Sequence, residues 1–411
     1  MRLRLRGFSI VLTTLILAAC ANQQPTPPPT RIPITTNDAT FPVPPALQPQ
    51  ITFWQNVYAV WGRNQVALHD DRYMDLIYAV LTLPGPVDEG YSAEQRAFLQ
   101  NHYQNLQDLL RQVESKTAVN APLTLDEQRL ADFINASRSG PVALMGASER
   151  LRSQRGLRER FKRGLEISGR YDAAFREVFR EAGLPEDLAY LPHVESSFQN
   201  HASSSVGAAG MWQFMPSTAR QFMHLNTAVD ERRDPVISAQ GAARYLGNAH
   251  DRLESWPLAI TSYNHGVGGM ARAKREVGDN IDAIVQSYGG KSFGFASRNF
   301  YTEFLAAREI ARNPQRFFPE GVAYEPPLNL DRIRLRQAVD APTLASYYEV
   351  NLGELIALNK AWKAPAHSGE KPLPAGSMIW LPAGTMIRLA QRGATSRALV
   401  LAEPVSTARL R

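Results

Sequence analysis

The chain has 411 residues, of which 44% are hydrophobic and 20% are charged, and its formal net charge is +6 at pH 7. That length suits two or three globular domains, and the hydrophobic share is that of a globular protein rather than of a chain disordered throughout. The modest positive charge is compatible with an anionic polymer as partner or with solubility alone. Cys20 is the only cysteine, which excludes an internal disulfide. No Cys–His pattern has metal-ligand spacing, so no metal or other cofactor is expected.

The first twenty residues have the pattern of a secretory lipoprotein signal. A basic start precedes an apolar run at residues 8–17, which is too short to span a bilayer as a stable anchor. Residues 17–20, Leu-Ala-Ala-Cys, resemble a bacterial lipoprotein box, so Cys20 is the predicted lipidation site and membrane anchor. Ala21 follows where inner-membrane retention usually requires Asp, which favours an outer-membrane anchor on the periplasmic side of a Gram-negative bacterium. The alternative is a plain signal peptide with a chance cysteine.

The next two segments differ in composition. Residues 21–50 are rich in Pro, Gln, Thr and Asn and are predicted to be a disordered tether. Residues 51–156 are predicted to be a helical N-terminal region, because capping-box patterns start at Ser92 and Thr124 ahead of apolar runs. Its aromatic residues recur at helical spacing, which is more typical of a core than of a sugar site. An arginine-rich run at 150–163 indicates a solvated helix face near anionic glycan rather than a nucleic-acid site.

Glu195 stands at the end of an apolar stretch in the middle of the chain. Leu188, Leu191 and Val194 precede it at spacings of three, which places them on one helical face, and Pro192 should kink that helix. A loop of small residues follows. Burial at such a helix end would raise the pKa of the carboxyl and suit a general acid. The alternative is a solvated helix-end carboxylate.

Residues 157–312 carry further helix signals and no strand signal. Asp234-Pro235 combines an N-cap residue with Pro at the first helical position. Trp256-Pro257 should begin another helix, which Gly266 should end, and an amphipathic helix is predicted over 300–310. We therefore expect a compact, all-helical domain here.

Four short motifs of this domain occur together. They are Glu195-Ser196, GAAGMWQFMP at 207–216, SYNHG at 262–266 and Asn299-Phe300-Tyr301. In this order and spacing they resemble the lytic murein transglycosylases, in particular the membrane-bound D type, with Met-Trp-Gln in place of the usual Leu-Met-Gln. The resemblance covers residues 157–312. It implies a mainly α fold, with a soluble-lytic-transglycosylase-like catalytic domain similar to goose-type lysozyme.

Glycoside cleavage usually employs two carboxylates, so a partner for Glu195 must be considered. The candidates are Asp230, Glu231, Asp234, Asp251 and Glu254. Capping, a polar turn or a charged surface explains each of them, and a single-carboxylate mechanism fits better. The resemblance implies such a mechanism. Glu195 would protonate the oxygen between N-acetylmuramic acid and N-acetylglucosamine, with the substrate's acetamido group replacing the second carboxylate. It would then deprotonate the muramoyl C6 hydroxyl, which closes on C1 to give a 1,6-anhydro product.

The resemblance also assigns residues to substrate binding. These are Ser196, Met211, Gln213, Tyr263, Asn264 and Tyr301. Ser196 would orient the carboxylate or the sugar, and Gln213 and Asn264 would hydrogen-bond the acetamido group. Tyr263 would pack beside the sugar, Met211 would line the groove or the core, and Tyr301 would hydrogen-bond Glu195. Either tyrosine could instead be a core aromatic. His193 lies two residues from Glu195 and should point elsewhere.

The C-terminal quarter begins with a proline-broken linker at residues 313–330. Residues 331–387 have a β-α-α-β pattern that resembles a single LysM module, a peptidoglycan-binding fold. The module is degenerate, because Ala341-Pro342 replaces the usual Gly-Asp or Gly-Glu. The alternative is a small packing domain that supports the enzyme. Residues 388–411 are predicted to be a loose basic tail.

Three functions remain open on this reasoning. The first is a lipid-anchored lytic transglycosylase whose partners are peptidoglycan glycan strands and the membrane, with no nucleic acid. The second is a hydrolase of the goose-lysozyme type, in which water replaces the C6 hydroxyl. The third is a non-catalytic wall-binding lipoprotein. The sequence indicates neither the oligomeric state nor whether cleavage is endo or exo.

Overall fold

The structure, a computed structural model, describes residues 38–391 and 401–404. The predicted signal peptide, the lipidation site Cys20, the first part of the tether and most of the tail lie outside the described residues. The described part is mainly helical, with two small antiparallel sheets, which confirms the predicted fold class. Within it, no helix combines the length and the apolar character that crossing a membrane requires.

The end of the predicted tether is folded. A 3₁₀ turn at Pro45–Leu47 leads into helix α1, Gln48–Gln55, which continues as a π-helical turn at Asn56–Val60. Phe41 is buried against Phe304, with ring centroids 5.3 Å apart. The tether prediction is therefore wrong for residues 38–50, because apolar side chains among the prolines pack onto the folded body.

The N-terminal region contains a sheet as well as helices. Its elements are β1 Gln65–Asp70, β2 Ile77–Thr82, α2 Ala93–Ala118, α3 Leu125–Asn135, α4 Ala147–Arg150 and β3 Leu151–Arg155. The three strands form an antiparallel sheet in the order β2-β1-β3. Both predicted capping boxes are present, at Ser92 and Thr124. The helical prediction for this region is thus incomplete. Strand β1 was missed because it is buried on both faces, so its sequence does not alternate between apolar and polar residues.

The arginine-rich run is the second correction in this region. Part of it forms β3, an edge strand, and only its later part belongs to a helix. Arg150 forms an ion pair with the buried Asp70, 3.0 Å away. Arg152 lies exposed on β3. The run is therefore not one solvated helix face.

The central domain is helical over the range that the sequence predicted. Its helices are α5 Arg158–Ser168, α6 Asp172–Glu181, α7 Leu191–Glu195, α8 Pro216–Ala219, α9 Pro235–Leu253, α10 Trp256–His265, α11 Val267–Val277, α12 Ile281–Ser287 and α13 Phe295–Arg312. Asp234 caps α9 by accepting hydrogen bonds from the N–H groups of Val236 and Ile237. Between residues 157 and 312, all described, pairing is limited to isolated bridges.

The C-terminal module follows a short helix, α14 Pro314–Phe317. Its elements are β4 Leu330–Leu335, α15 Ala341–Tyr347, α16 Leu352–Leu358, α17 Ala364–His367, β5 Met378–Pro382, α18 Thr385–Gln391 and β6 Ala402–Pro404. The predicted order of strand, two helices and strand is present, with α17 as an addition. The prediction of a loose tail is wrong for its described residues, because 388–391 belong to α18 and β6 pairs with β4. The module is packed against the central domain, because Ala228 and Val229 lie in its hydrophobic core.

Candidate active site

Glu195 occupies the last position of the five-residue helix α7. A 3₁₀ helix at Glu186–Tyr190 precedes α7, and Pro192 stands in its first turn, which is the interruption that the sequence predicted. Ser197 and Phe198 then take φ values of 52° and 58°, which are uncommon for residues other than glycine. This turn ends the helix immediately after the carboxylate-bearing residue.

The surroundings of Glu195 favour its protonated form. Its side chain is half-buried, so it retains access to a ligand. Desolvation, and secondly the charge of Glu303, raise the pKa of Glu195 to about 8. Because the carboxyl is therefore largely protonated at neutral pH, it can act as a general acid.

His193 does not share this chemistry. Its ring is buried and lies 5.1 Å from the Phe161 ring and 4.5 Å from the Phe198 ring. Burial lowers the pKa of His193 to about 3, so the imidazole is neutral over the physiological range. Among the described residues its Nδ1 atom has no hydrogen-bond partner. The residue is part of the core, as its spacing from Glu195 predicted.

Glu303 on α13 is the functional candidate that sequence reasoning missed. Desolvation raises the pKa of Glu303 to about 8, and the hydroxyl of Tyr58, which donates to it at 3.3 Å, acts in the opposite sense. When Glu303 is ionised, its charge is in turn the second cause, after desolvation, that raises the pKa of Glu195. It lies four residues after Asn299 of the last motif and hence on the same helical face. That spacing was the signal available in the sequence.

The N-terminal region holds this side of the site in place. Tyr58 is buried, and its ring stacks on Phe161 with centroids 4.8 Å apart. The indole N–H of Trp54 donates to the Oδ1 atom of Asn299 at 3.1 Å. Helix α1 packs along α13 and thereby brings Tyr58 to Glu303. The environment of the acid is thus completed by a segment more than a hundred residues earlier in the chain.

The loop at residues 207–214, here called the motif loop, lies against the end of α7. The Ser196 hydroxyl donates to the backbone oxygen of Met211 at 2.8 Å. The Tyr263 hydroxyl donates to the backbone oxygen of Trp212 at 2.9 Å. Met211 is itself buried, so it belongs to the core of this loop. Ser196 therefore positions the motif loop beside Glu195.

Arg232 holds the motif loop from the other side. Its Nη1 atom donates to the backbone oxygens of Gly207 and Phe214, at 2.7 and 3.0 Å. Gly210 has φ 80°, and a Cβ atom there would stand 1.8 Å from the Arg232 oxygen. Only glycine suits this position. Gln213, at φ 47°, donates to the Gly210 oxygen at 2.7 Å, so its amide nitrogen also serves the loop.

Helix α10 brings Tyr263 close to Glu195 and carries Asn264 as its neighbour. The Tyr263 ring stacks on Phe300 with centroids 6.4 Å apart, and burial and the charge of Glu195 raise its pKa. Asn264 is exposed, and its Oδ1 atom accepts a hydrogen bond from the Ser297 hydroxyl at 2.8 Å. Its amide nitrogen is the part left to meet a ligand.

The predicted contact between Tyr301 and Glu195 is wrong. Tyr301 is 1% exposed, and its hydroxyl donates to the backbone oxygen of Pro42 at 2.8 Å. The physical reason is its place on α13, where it faces the N-terminal segment instead of the site. Phe300, its neighbour, packs on Tyr263 instead. The alternative of a core aromatic is the correct one for Tyr301.

The other acidic candidates have structural partners or lie exposed: Glu254 pairs with Lys274, 2.9 Å away, and Asp251 is exposed on α9. Asp230 binds Arg232, Glu231 accepts from His224, and Asp234 caps α9. In the described ranges, no group of three or more His, Cys, Asp and Glu side chains is arranged to hold a metal ion. The chemistry that the described side chains offer is that of two neighbouring protonatable carboxyls.

Comparisons with known proteins place this site in a family context. Residues 174–285 match the model of the transglycosylase SLT domain. The chain is 27% identical over 202 residues to membrane-bound lytic murein transglycosylase D of Escherichia coli (strain K12), which covers 47% of this chain and 43% of that protein. It is 36% identical over 124 residues to membrane-bound lytic murein transglycosylase F 2 of Alkalilimnicola ehrlichii, covering 28% of this chain and 26% of the relative. The matches thus span less than half of these relatives.

Solved structures of lytic transglycosylases also match part of the chain. An inactive mutant of Slt from Pseudomonas aeruginosa aligns at 21% identity and a TM-score of 0.29, over 38% of this chain and 25% of that one. The 70 kDa soluble lytic transglycosylase of Escherichia coli aligns at 16% identity and a TM-score of 0.30, over 55% and 31%. Glu195 lies inside the matched SLT segment, whereas Tyr58 and Glu303 lie outside it. Residues 174–285 are thus similar to the transglycosylase SLT domain, and about half of the chain is similar to membrane-bound lytic murein transglycosylase D.

Proposed function

We propose that this protein is a lytic transglycosylase of peptidoglycan in which Glu195 is both the general acid and the general base. The substrate bond is the β-1,4 linkage between N-acetylmuramic acid and N-acetylglucosamine, and the product carries a 1,6-anhydromuramoyl end. The observation that carries the proposal is a half-buried carboxyl whose pKa is raised to about 8, inside the segment that matches the SLT model.

The reaction proceeds in two proton transfers. The protonated Glu195 donates to the glycosidic oxygen as the bond to C1 breaks, and the departing sugar leaves with that proton. Positive charge develops at C1, where the acetamido oxygen of the same sugar stabilises it. The Glu195 carboxylate then accepts the proton of the C6 hydroxyl, whose oxygen bonds to C1. This intramolecular attack gains from proximity and needs no water.

Glu303 makes a retaining hydrolase the alternative to consider. In retaining glycosidases a second carboxylate about 5 Å from the acid attacks the sugar. Burial raises the pKa of Glu303 to about 8, so this carboxyl is largely neutral near pH 7 and a weak nucleophile. In our proposal desolvation is the main cause of the raised pKa of Glu195, and Glu303 raises that pKa further as it ionises at alkaline pH, without attacking C1. A hydrolase of the goose-lysozyme type is the second candidate, and a reducing end on the product would identify it.

The flanking segments have proposed roles of their own. We assign residues 1–20 to a lipoprotein signal with lipidation at Cys20, and residues 21–37 to a tether that precedes the folded segment beginning at residue 38. The protein would then face peptidoglycan from the outer membrane. Labelling of cells with an alkyne fatty acid should mark the wild type and not Cys20→Ser. Label on that variant would contradict the anchor without touching the enzymatic proposal.

The enzymatic proposal is tested on purified protein with sacculi. Wild-type protein should release muropeptides with anhydro ends, and Glu195→Gln should release them at least ~100-fold more slowly while keeping its circular dichroism spectrum. Release of muropeptides by Glu195→Gln at the wild-type rate would contradict the assignment of the acid. Binding of sacculi without release by the wild type would favour the non-catalytic wall-binding alternative.

A further inference from the structure

A cavity beside Asn264 has a character that the proposed reaction does not use. It is lined by Arg152, Asn264, His265, Ser292, Gly294, Phe295, Ala296 and Ser297. One of these residues is cationic and none is acidic. Arg152 comes from β3 of the N-terminal region, and the rest comes from α10, α13 and the segment before α13. The cavity is therefore shared between the SLT domain and the sheet in front of it.

The guanidinium of Arg152 is oriented at this cavity and is available to bind an anion. Its guanidinium lies over the Phe295 ring, 4.3 Å from the centroid, which holds the planar group in a defined orientation. Within the described ranges it forms no ion pair, whereas Arg150 on α4 is paired with Asp70. The Asn264 amide nitrogen is the second donor at this cavity, because its oxygen is taken by Ser297. A fork of N–H donors and an amide match the geometry of a carboxylate.

Resting on the proposed function, we propose that this cavity binds a free carboxylate of the peptide stem that peptidoglycan carries on its muramoyl residues. Asn264 would bridge the two parts of the substrate, with the sugar on the Tyr263 side and the stem on the Arg152 side. Stem recognition would then depend on the N-terminal sheet, which lies outside the SLT match. The chemical class of the ligand is a carboxylate on a polymer-linked peptide.

The test compares two substrates with the full-length protein. Glycan strands that carry stems are assayed beside the same strands after their stems have been removed by an amidase. Arg152→Gln should raise KM for stem-bearing strands about fivefold, as expected for loss of one exposed ion pair, and leave KM for bare strands unchanged. Arg152→Lys should restore part of the loss, and the effect of Arg152→Gln should shrink at high salt.

Controls separate this inference from the proposed function. Arg111→Gln, an exposed arginine on α2, should behave as wild type on both substrates. Glu195→Gln should lose both activities. Equal behaviour of Arg152→Gln and wild type on stem-bearing strands would overturn the carboxylate site, and equal losses on both substrates would reassign Arg152 to glycan binding or to the fold.

The C-terminal module is joined to the motif loop by an unbroken series of hydrogen bonds. The backbone N–H of Asp230 donates to the Ala361 oxygen at 2.7 Å, and that of Lys363 donates to the Ala228 oxygen at 2.9 Å. The Trp380 indole N–H donates to the Oδ2 atom of Asp234 at 2.6 Å. The module therefore forms several hydrogen bonds with residues 224–234, here called the bridging segment.

The bridging segment is itself hydrogen-bonded to the motif loop through Arg232. The carboxylate of Asp230 binds the Arg232 guanidinium through two bonds of 2.9 Å. Arg232 in turn holds the Gly207 and Phe214 oxygens of the motif loop, which Ser196 joins to the end of α7. Module, bridging segment, motif loop and Glu195 are thus linked in sequence. We infer that the module acts as a positioning element for the catalytic loop, with Arg232 as its positioning residue, whether or not it also binds glycan.

Substrate length distinguishes positioning from glycan binding. A soluble glycan of four sugars offers few sugars beyond the cleaved bond for the module to bind, whereas sacculi offer long strands. Trp380→Phe removes the N–H that reaches Asp234 and keeps a large ring. We expect kcat to fall several-fold, with equal ratios on both substrates and with KM little changed. Lys363→Ala, which removes a bond from Nζ to the Asn226 oxygen, should give a smaller loss of the same kind.

The kcat values of Trp380→Phe and Lys363→Ala on the two substrates decide between positioning and glycan binding. A loss confined to sacculi would assign the module to glycan binding and overturn positioning, and so would unchanged kcat in both variants. Lys360→Ala, an exposed neighbour, is the matched control and should resemble the wild type. If Trp380→Phe does not fold, the Lys363→Ala result decides alone. Complete inactivity of the wild type on both substrates would instead count against the proposed function.

Discussion

The N-terminal region and the C-terminal module both carry a three-stranded antiparallel sheet, yet they serve the central domain differently. The N-terminal region sends side chains toward the acid, with Tyr58 on Glu303 and Trp54 on Asn299. The module instead contacts the bridging segment, through backbone groups and through the side chains of Lys363 and Trp380. The segment that matches the SLT model therefore contains Glu195, but Glu303 and Tyr58, which affect the pKa of Glu195, lie outside it. Changes at the contact between Tyr58 and Glu303 should therefore alter pH dependence, and changes at the module side should alter rate alone.

The largest effect should come from the acid itself. Glu195→Gln keeps the size of the side chain and removes the proton, so kcat should fall by about 10²–10⁴-fold or more. The measurement is muropeptide release under initial-rate conditions. Glu195→Asp, which shortens the acid, is the matched variant and should retain a trace of activity.

The raised pKa of Glu195 also predicts how Glu195→Gln changes the pH dependence of stability. The folded pKa of Glu195, about 8, lies above its unfolded value of 4.5, so the folded state retains a proton that the unfolded state releases. The free energy of unfolding of the wild type should therefore fall as pH rises from about 4.5 to 8, by up to about 1.4 kcal/mol per pH unit and a few kcal/mol in total. Glu195→Gln has no proton to lose at this position, so its free energy of unfolding should not show this fall. Unfolding midpoints at pH 4 and pH 8 check this. A difference between variant and wild type that does not grow with pH would contradict the raised pKa.

Gly210→Ala should be the next most damaging change. The positive φ and the 1.8 Å approach to the Arg232 oxygen leave no room for a methyl group, so either the motif loop or the bridging segment must move. We expect a loss of stability of at least about 1–3 kcal/mol, with most activity lost. Gly90→Ala is the control, because a Cβ atom there meets nothing within 4 Å. Denaturant unfolding of the two variants provides the comparison.

Glu303→Gln tests the contribution of the N-terminal side to pH dependence. Without the charge of Glu303, the pKa of Glu195 should fall, and the alkaline limb of the pH profile of kcat should move down by about one unit. Tyr58→Phe should move it less and in the same direction, because Glu303 then ionises at higher pH. The charged or titratable groups facing this pair are Tyr58 on the π-helical turn and Tyr263 on α10. An unchanged limb in Glu303→Gln would show that the two carboxyls are not coupled.

The smallest effect should come from Tyr301→Phe. Its hydroxyl bonds to Pro42 and not to Glu195, so kcat and its pH profile should match the wild type. Loss of one buried hydrogen bond should cost about 1 kcal/mol of stability. A large loss of kcat with an intact fold would restore the contact that the motif pattern suggested.

The two sheets also differ in how far the sequence predicts them. The C-terminal strands are punctuated by Pro and Gly, and Asp340 and Asn351 cap the helices between them, so local signals and structure agree. Strand β1 is covered on both faces, and β3 is an edge strand of mixed polarity, so neither has the alternation that identifies a strand. Such strands exist because of tertiary packing, which no local pattern reveals.

The site divides in the same way. Glu195, Ser196, Asn264 and Tyr263 lie in short motifs, and the structure brings Ser196 and Tyr263 to one loop beside Glu195. Glu303 and Tyr58 carry no motif, and their meeting depends on how α1 packs along α13. The error at Tyr301 arose because a motif fixes a helix and not which of two adjacent aromatic residues faces the site. Long-range packing is therefore the part of this site that sequence reasoning could not supply.

The central claim is that one acid, held protonated, cleaves the glycan without water. Mass spectrometry of the muropeptides that purified protein releases from sacculi tests it most directly. The account predicts fragments with 1,6-anhydromuramoyl ends, one water lighter than hydrolysis products and free of label when the digestion is run in ¹⁸O-water. Fragments with reducing ends that carry the label would contradict it and point to Glu303 or a bound water as the second reactant.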